Sequence, residues 1–211
     1  MANFEELSKA VLSGNDNQVV SITKSLIDSG TDLLEIINQG LIAGMDIVGA
    51  RFKRGEMFVP EVLMAARSMS AGINLVKPLM SETDIPSIGK VLVGTVKGDL
   101  HDIGKNLLAM MMEGAGFTVI NLGVDISPEQ FLEAAKEHKA DMIAMSALLT
   151  TTMVAMKDTV ELFVEDGLRD KVRIIIGGAP ISQEYSDEIG ADGFAPDAAT
   201  ACDLAKSLLA K

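Results

Sequence analysis

The sequence predicts two parts, a small N-terminal helical bundle and an α/β domain with a five-stranded parallel sheet. Three observations lead to this fold class. Apolar residues recur every three or four positions up to about residue 82, short β-rich runs then alternate with helical segments, and a stretch containing Pro and Gly separates the two patterns. We therefore expect a helical domain at residues 1–82, a linker at 83–90 and a Rossmann-like, flavodoxin-like domain at 91–211.

The first half contains apolar stripes with helical spacing. One stripe comprises Leu34, Ile37, Leu41, Met45, Val48 and Phe52, and the next comprises Val59, Val62, Ala66, Met69, Ile73 and Val76. Pro60 suits the first turn of the last helix. Gly14 and Gly30 separate two earlier amphipathic segments, and Asp16 and Thr31 are the expected N-caps of the helices that follow these glycines. Four helices with short connections predict a four-helix bundle.

The second half alternates strands with helices. The predicted strands are Val91–Val96, Thr118–Leu122, Met142–Ser146, Val172–Ile176 and a weak one near Gly193–Ala195. The predicted helices are Ile103–Gly114, Pro128–His138, Met153–Asp166, Ile181–Ile189 and Ala198–Ala210. This order predicts a parallel sheet covered on both faces. Ligands of such sheets lie beyond the carboxyl ends of the strands, near the topological switch point.

Composition excludes several classes of function. The 211 residues carry a net charge of −12 and no Lys/Arg cluster, which argues against nucleic-acid binding. No run reaches the roughly 18 to 20 uncharged apolar residues that span a bilayer, and the N-terminus lacks a signal pattern. The single cysteine, Cys202, fits a reducing compartment and is expected to serve packing. We therefore expect a cytoplasmic protein without membrane or nucleic-acid partners.

A short polar motif follows the first predicted strand. His101 lies at the carboxyl edge of the sheet, and Asp99, two residues earlier, can accept a hydrogen bond from one ring nitrogen. That bond makes the other nitrogen a better metal ligand. Taken alone, the motif is short, and a helix N-cap at Asp99 or Asp102 beside an exposed histidine explains it adequately. A zinc site has less support, because the chain has two histidines and one cysteine, and His138 lies in a charged helix end.

Two further motifs accompany the first one. Asp99-x-His101-x-x-Gly104 is followed after 41 residues by Ser146-x-Leu148, and after 28 more by Gly177-Gly178. All three lie at the ends of predicted strands on one edge of the sheet. In order and spacing they resemble the cobalamin-binding domains of methionine synthases, corrinoid methyltransferase subunits and mutases. The chain is thereby identified as similar to corrinoid methyl-carrier proteins of anaerobic methyltransferase systems.

The resemblance implies a role for each site residue. His101 is the expected lower ligand of cobalt in place of the cofactor's own base, and Asp99 is expected to hold His101. The cobalamin tail is expected to enter the domain, with Ser146 on its base, Leu148 and Thr150 along its channel, and Thr152 in the network of Asp99. The other residues expected around the cofactor are Gly98, Leu100, Asp102, Gly104, Gly177 and Gly178. The glycines are expected to leave room for the bulky group.

The resemblance extends to the helical half. Gly49, Phe52, Gly55, Phe58 and Pro60 are similar to a pattern in the helical cap of methionine synthase and corrinoid proteins. Phe52, Val59 and Val62 are then expected to shield the methyl-bearing face of the corrin, with a hinge at residues 83–89. The alternative is a bundle with a purely structural or dimerisation role.

The function implied is that of a methyl carrier. The cobalamin, cycling between methyl-Co(III) and Co(I), is expected to receive a methyl group from a substrate-specific methyltransferase. A second methyltransferase is expected to pass it to tetrahydrofolate or a thiol cofactor, and a reductive activase to assist. The chain has no room for a substrate-activating barrel, so catalysis is expected to require these partner methyltransferases. Whether the chain is itself an enzyme stays open. The alternatives are a cobalamin-dependent sensor or regulator and the small subunit of an adenosylcobalamin mutase.

Overall fold

A computed structural model describes residues 3–80 and 87–210 of the chain. The chain divides into two compact units, Met1–Ser87 with Glu113–Gly116, and Ile88–Met112 with Phe117–Lys211. Residues 83–86 of the expected linker and hinge lie outside the described residues. The predicted boundaries at residues 82 and 91 therefore stay predictions.

The first unit has the four helical stretches that the apolar periodicity predicts. The first two are α1 (Phe4–Leu12) and α2 (Asp16–Asp28). The third is continuous and consists of α3 (Leu33–Glu35), a π-helical segment (Ile36–Ile42) and α4 (Ala43–Lys53). The fourth is α5 (Val59–Val76), which a short 3-10 turn (Lys77–Leu79) extends. The predicted N-caps Asp16 and Thr31 were each wrong by one residue. The side chain of Asn15 caps α2 and that of Asp32 caps α3, because their oxygens reach the N–H groups three residues ahead.

The stretch Leu33–Lys53 packs closely against α1. A Cβ atom at Gly40 would lie 2.5 Å from Leu7, and one at Gly44 would lie 2.8 Å from Val11. These glycines therefore let the two helix backbones approach each other. Among the residues described, this is the one helix long and apolar enough to cross a membrane, a test that core helices of globular proteins also pass.

The second unit is a five-stranded parallel sheet with the order β2-β1-β3-β4-β5. Its strands are β1 (Lys90–Val96), β2 (Thr118–Ile126), β3 (Met142–Ser146), β4 (Arg173–Gly177) and β5 (Gly193–Phe194). Its helices are α6 (Ile103–Gly114), α7 (Pro128–His138), α8 (Val154–Asp166), α9 (Gln183–Ile189) and α10 (Ala198–Leu209). Every predicted element is present, which confirms the predicted fold class.

The largest boundary difference is at β2, which extends four residues beyond the predicted end at Leu122. Two register shifts against β1 carry the strand past Gly123, a residue that normally interrupts strands. The central strands are buried on both faces, as expected of a parallel sheet covered by helices. The chain order reverses at β1 and β3, so their carboxyl ends form the topological switch point.

Candidate functional site

A tight turn after β1 presents His101. The Asp99 N–H donates to the carbonyl oxygen of Val96 at 3.1 Å, and Gly98 within this turn has a φ of +83°, a conformation that favours glycine. The Thr95 hydroxyl then donates to the carbonyl oxygen of His101 at 2.8 Å. The turn and this bond fix the backbone of the histidine just before α6 begins at Ile103.

Asp99 is fully buried, and its carboxylate accepts five hydrogen bonds. Its Oδ1 receives the backbone N–H of His101 at 3.1 Å and lies 2.7 Å from the ring nitrogen Nδ1. Its Oδ2 receives the N–H groups of Leu148 at 2.7 Å and Leu149 at 3.2 Å, and the hydroxyl of Thr152 at 2.9 Å. Burial by itself raises the pKa of Asp99, but the donors at Leu148, His101 and Thr152 outweigh it and hold this pKa well below its usual range. Asp99 is therefore a carboxylate.

The carboxylate determines the tautomer of His101. Because an ionised carboxylate can only accept, the hydrogen between Asp99 and His101 belongs to Nδ1, so in the neutral ring Nε2 carries the lone pair. The His101 side chain is 52% exposed. No group of three or more His, Cys, Asp or Glu residues that could hold a metal ion occurs in the described part of the chain. The exposed Nε2 can accept a hydrogen bond or bind a metal ion.

A cavity of about 580 Å³ lies beside His101, within the second unit. Its lining comes from the β1–α6 loop, the ends of β3 and β4, and α10, and many of the side chains are small or apolar. The lining residues that the sequence predicted are Leu100, His101, Asp102, Gly104, Ser146, Leu148, Gly177 and Gly178. The volume lies in the usual range for small-molecule sites.

Sequence reasoning missed one wall of the cavity. Ala195, Pro196, Asp197, Ala198 and Ala201 come from the end of β5 and the start of α10. The two-residue strand β5 gave only a weak signal. The position of this loop beyond the carboxyl end of a strand was the signal that could have found it.

Four of the site residues predicted in the second unit do not line the cavity. Gly98 belongs to the turn, and Asp99 and Thr152 form the buried support of His101. Thr150 is exposed at the start of a short 3-10 turn, Thr150–Thr152. Of these four, Gly98, Asp99 and Thr152 form the turn before His101 or its hydrogen-bonded support.

The two glycines at the end of β4, Gly177 and Gly178, are also required by the close packing of neighbouring loops. A Cβ atom at Gly178, whose φ is +134°, would lie 1.8 Å from the carbonyl oxygen of Ala147. A Cβ atom at Gly177 would lie 3.0 Å from the carbonyl oxygen of Ala195. The pair thus permits close approach of the β3 and β5 loops, besides bordering the cavity.

Lys105 is the buried cation of this site, with 3% of its surface exposed. Its Nζ donates to the side-chain oxygens of Asn106 at 2.5 Å and Asn121 at 2.6 Å. Burial lowers the pKa of Lys105, and the charge of Asp102 partly offsets this. These bonds attach the first turn of α6 to β2.

The residues predicted in the helical half differ in accessibility. Val62 is fully buried in α5, and Phe52 and Val59 are half-buried. Phe58, which precedes α5, is 69% exposed, and its backbone N–H is capped by Glu61 at 2.8 Å. The most accessible aromatic side chain of this bend is therefore Phe58.

Family comparisons cover nearly the whole chain. One family model described as a B12 binding domain matches residues 89–204, and another with the same description matches residues 4–77. A corrinoid protein of Desulfitobacterium hafniense (strain Y51) is 42% identical over 214 residues, which cover 100% of this chain and 99% of that relative. The dimethylamine corrinoid protein of Methanosarcina barkeri is 45% identical over 208 residues, with coverage of 98% and 97%.

Solved structures agree with these sequence matches. A chain of the methanol:cobalamin methyltransferase complex MtaBC from Methanosarcina barkeri is 30% identical with a TM-score of 0.89, covering 98% of this chain and 79% of that one. A cobalamin-binding protein of Desulfitobacterium hafniense DCB-2 is 28% identical with a TM-score of 0.83 and 98% coverage of both chains. The chain belongs to the family of corrinoid proteins associated with methyltransferase systems, and its cofactor is a corrinoid.

Proposed function

We propose that this protein carries a methyl group on its corrinoid between two methyltransferases. A substrate:corrinoid methyltransferase loads the group, and a second one passes it to tetrahydrofolate or a thiol cofactor. A reductive activase is the further partner that we propose. The bound corrinoid supplies a cobalt centre that accepts and releases the methyl group, and the protein supplies ligation, orientation and protection from solvent.

The observation that carries the proposal is the bond between Asp99 and His101. An imidazole whose Nδ1–H is held by a buried carboxylate offers Nε2 as a metal ligand in a fixed orientation. A corrin ring provides four nitrogen ligands of its own, so one histidine without a surrounding ligand cluster fits this type of metal centre. We therefore propose His101 as the lower ligand of the cobalt.

The cavity beside His101 is suited to the nucleotide tail of the cofactor. We propose that Ser146 donates to the tail and that Leu148, Gly177 and Gly178 border its channel, since all four line the cavity. Thr152 acts through Asp99, whose carboxylate its hydroxyl stabilises. Thr150 lies outside the cavity lining, and its contribution to the channel rests on the resemblance alone.

We also propose that the helical unit shields the bound corrinoid through Phe52, Val59 and Val62. This part rests on the match of the helical half to a B12 binding domain. Excluding water from a reactive centre suppresses side reactions, and access for each partner then requires a conformational step.

The first experiment is spectroscopic. The protein is reconstituted with cobalamin under reducing conditions, reoxidised, and its ultraviolet–visible spectrum is recorded for the wild type, His101→Ala and His138→Ala. We expect wild type and His138→Ala to give the same spectrum, that of cobalamin without its own base and with histidine bound. His101→Ala is expected to lose that spectrum or the cofactor. His138 is the matched control because it is the only other histidine of the chain.

Two outcomes would overturn the proposal at this stage. Absence of corrinoid uptake by the wild type would show that the proposed methyl-carrier function is wrong. Unchanged spectra in both variants would show that His101 is not the ligand of the cobalt. A marked preference for adenosylcobalamin, or binding to a promoter, would favour the mutase or the regulator instead.

Methyl transfer is tested next with the loaded protein. Dimethylamine and methanol are the first donors to try, because relatives and a solved neighbour carry these substrates in their names. Each donor is supplied with its methyltransferase, and methylation of tetrahydrofolate or a thiol acceptor is measured with and without this chain. We expect product only when the chain is present and His101 is intact.

A further inference from the structure

The loop that presents His101 is held from two sides. On the β3 side, Leu148, Leu149 and Thr152 donate to the side chain of Asp99. On the β2 side, the contacts reach the backbone of the turn instead, and they come from one residue, Asp125. None of the three sequence motifs includes this residue.

Asp125 makes two reciprocal hydrogen bonds to the turn. Its Oδ1 accepts the N–H of Gly98 at 2.7 Å, and its own N–H donates to the carbonyl oxygen of Asp99 at 3.1 Å. The two bonds run in opposite directions and join segments 27 residues apart. Together they fix the peptide groups on both sides of the Gly98–Asp99 bond.

The backbone of β2 is distorted where these bonds form. Val93, Gly94 and Val96 of β1 pair with Asn121, Gly123 and Ile126 of β2, so β2 contains one extra residue in each interval. Bulges of this kind redirect side chains and occur next to functional sites. Asp125 lies in the second bulge with a φ of +56°, the left-handed region that few residues other than glycine adopt.

This conformation is unfavourable for Asp125, and glycine would adopt it freely. Aspartate is nevertheless among the residues that tolerate it, because its short side chain can bond to nearby backbone. The reciprocal pair uses the carboxylate as its acceptor and the backbone N–H of this left-handed residue as its donor. The chain thus contains a strained residue at a place where its side chain holds the turn before His101.

We propose that Asp125 is a positioning residue that fixes the turn Gly98–Asp99, and with it the orientation in which His101 meets the cobalt. The inference rests on the proposed function, because His101 is taken as the metal ligand. Asp125 acts through the turn and does not touch the cofactor site itself. Its loss should loosen the turn, so that a smaller fraction of the protein is ready for ligation and the apparent Kd rises.

Three substitutions separate the acceptor from the strain. Asp125→Gly removes the acceptor and relieves the left-handed backbone, Asp125→Asn keeps an acceptor oxygen and tolerates that backbone, and Asp125→Ala keeps neither. Asp141→Ala is the matched control. The Asp141 carboxylate also accepts a backbone N–H of β1, that of Lys90 at 2.8 Å, but at the opposite end of the strand.

The first readout is amide hydrogen exchange in the protein without cofactor. We expect Asp125→Gly to speed exchange at the N–H groups of Asp99 and His101 by about threefold or more, although their own acceptors are intact. Asp125→Asn should stay within about twofold of the wild type, and Asp141→Ala should leave both groups unchanged. Equal exchange in Asp125→Gly and the wild type would overturn the proposal.

The second readout is the spectrum and affinity of the loaded protein. Asp125→Gly is expected to raise the Kd for cobalamin by roughly three- to tenfold and to lower the histidine-bound fraction in the spectrum. Asp125→Asn should keep the Kd and the histidine-bound fraction close to those of the wild type. If Asp141→Ala causes the same changes, the effect is general destabilisation and the proposal is wrong. If the wild type binds no corrinoid, the proposed methyl-carrier function is wrong. The exchange experiment still tests whether Asp125 holds the turn Gly98–Asp99.

Discussion

The Oδ1 atom of Asp99 lies 2.7 Å from Nδ1 of His101, and the same carboxylate is fully buried. Buried carboxylates are costly unless their oxygens are satisfied, and here five donors satisfy this one. The pair therefore forms a fixed unit in which the acid stays ionised and the ring keeps one tautomer. The first prediction concerns this unit.

Asp99→Asn should destabilise the protein without cofactor by about 2–4 kcal/mol, because an amide places its NH₂ group against donors that now lack an acceptor. Asp141 is an exposed carboxylate that also accepts a backbone N–H, and Asp141→Asn should cost less than about 1 kcal/mol. Urea unfolding of the three proteins measures both values. Equal costs for the two variants would show that the network around Asp99 adds nothing to an ordinary hydrogen bond.

Gly178→Ala should cost about 3 kcal/mol or more, because the new Cβ atom would lie 1.8 Å from the carbonyl oxygen of Ala147. Gly167→Ala is the control. Gly167 also has a positive φ, +76°, but nothing lies within 4 Å of its Cβ position, so we expect about 1–2 kcal/mol. Thermal or urea unfolding compares the two, and similar costs would contradict the close approach of the loops.

Stability at alkaline pH should depend on Lys105. Since burial lowers the pKa of Lys105, the unfolded state holds its proton more tightly than the folded state. The free energy of unfolding of the wild type, relative to Lys105→Met, should therefore rise as the pH approaches the ordinary lysine value of about 10.4. Urea unfolding at several pH values from about 8 upward tests this. A difference that is flat or falls with pH would contradict the prediction.

Ala201→Leu should fill part of the cavity that α10 borders and so exclude the nucleotide tail of the cofactor. We expect the Kd for cobalamin to rise by about tenfold or more, as a clash in a close-packed site implies. Cobinamide, a corrinoid that lacks the nucleotide, is the matched ligand and should bind both proteins equally. Equal losses for the two ligands would mean that the tail does not use this cavity.

Local pattern was sufficient for most of the fold. The helix Ile103–Gly114 and the strand Met142–Ser146 have the predicted bounds, because their apolar spacing is a local signal. The end of β2 was not predictable in this way. In the sequence, Gly123 predicts the end of a strand. The strand extends to Ile126 because β2 stays paired with β1 beyond this glycine.

The sequence by itself determined the order of helices and strands and the place of His101 at the carboxyl edge of the sheet. These follow from periodicity and motif spacing, which are properties of neighbouring residues. Only the tertiary structure decided that Asp99 also receives the N–H groups of Leu148 and Leu149, 49 and 50 residues away. It also decided that Asp125 bonds to the turn and that the β5–α10 loop borders the cavity. Such contacts depend on strand register and on bulges, which bring distant loops together at one edge of the sheet.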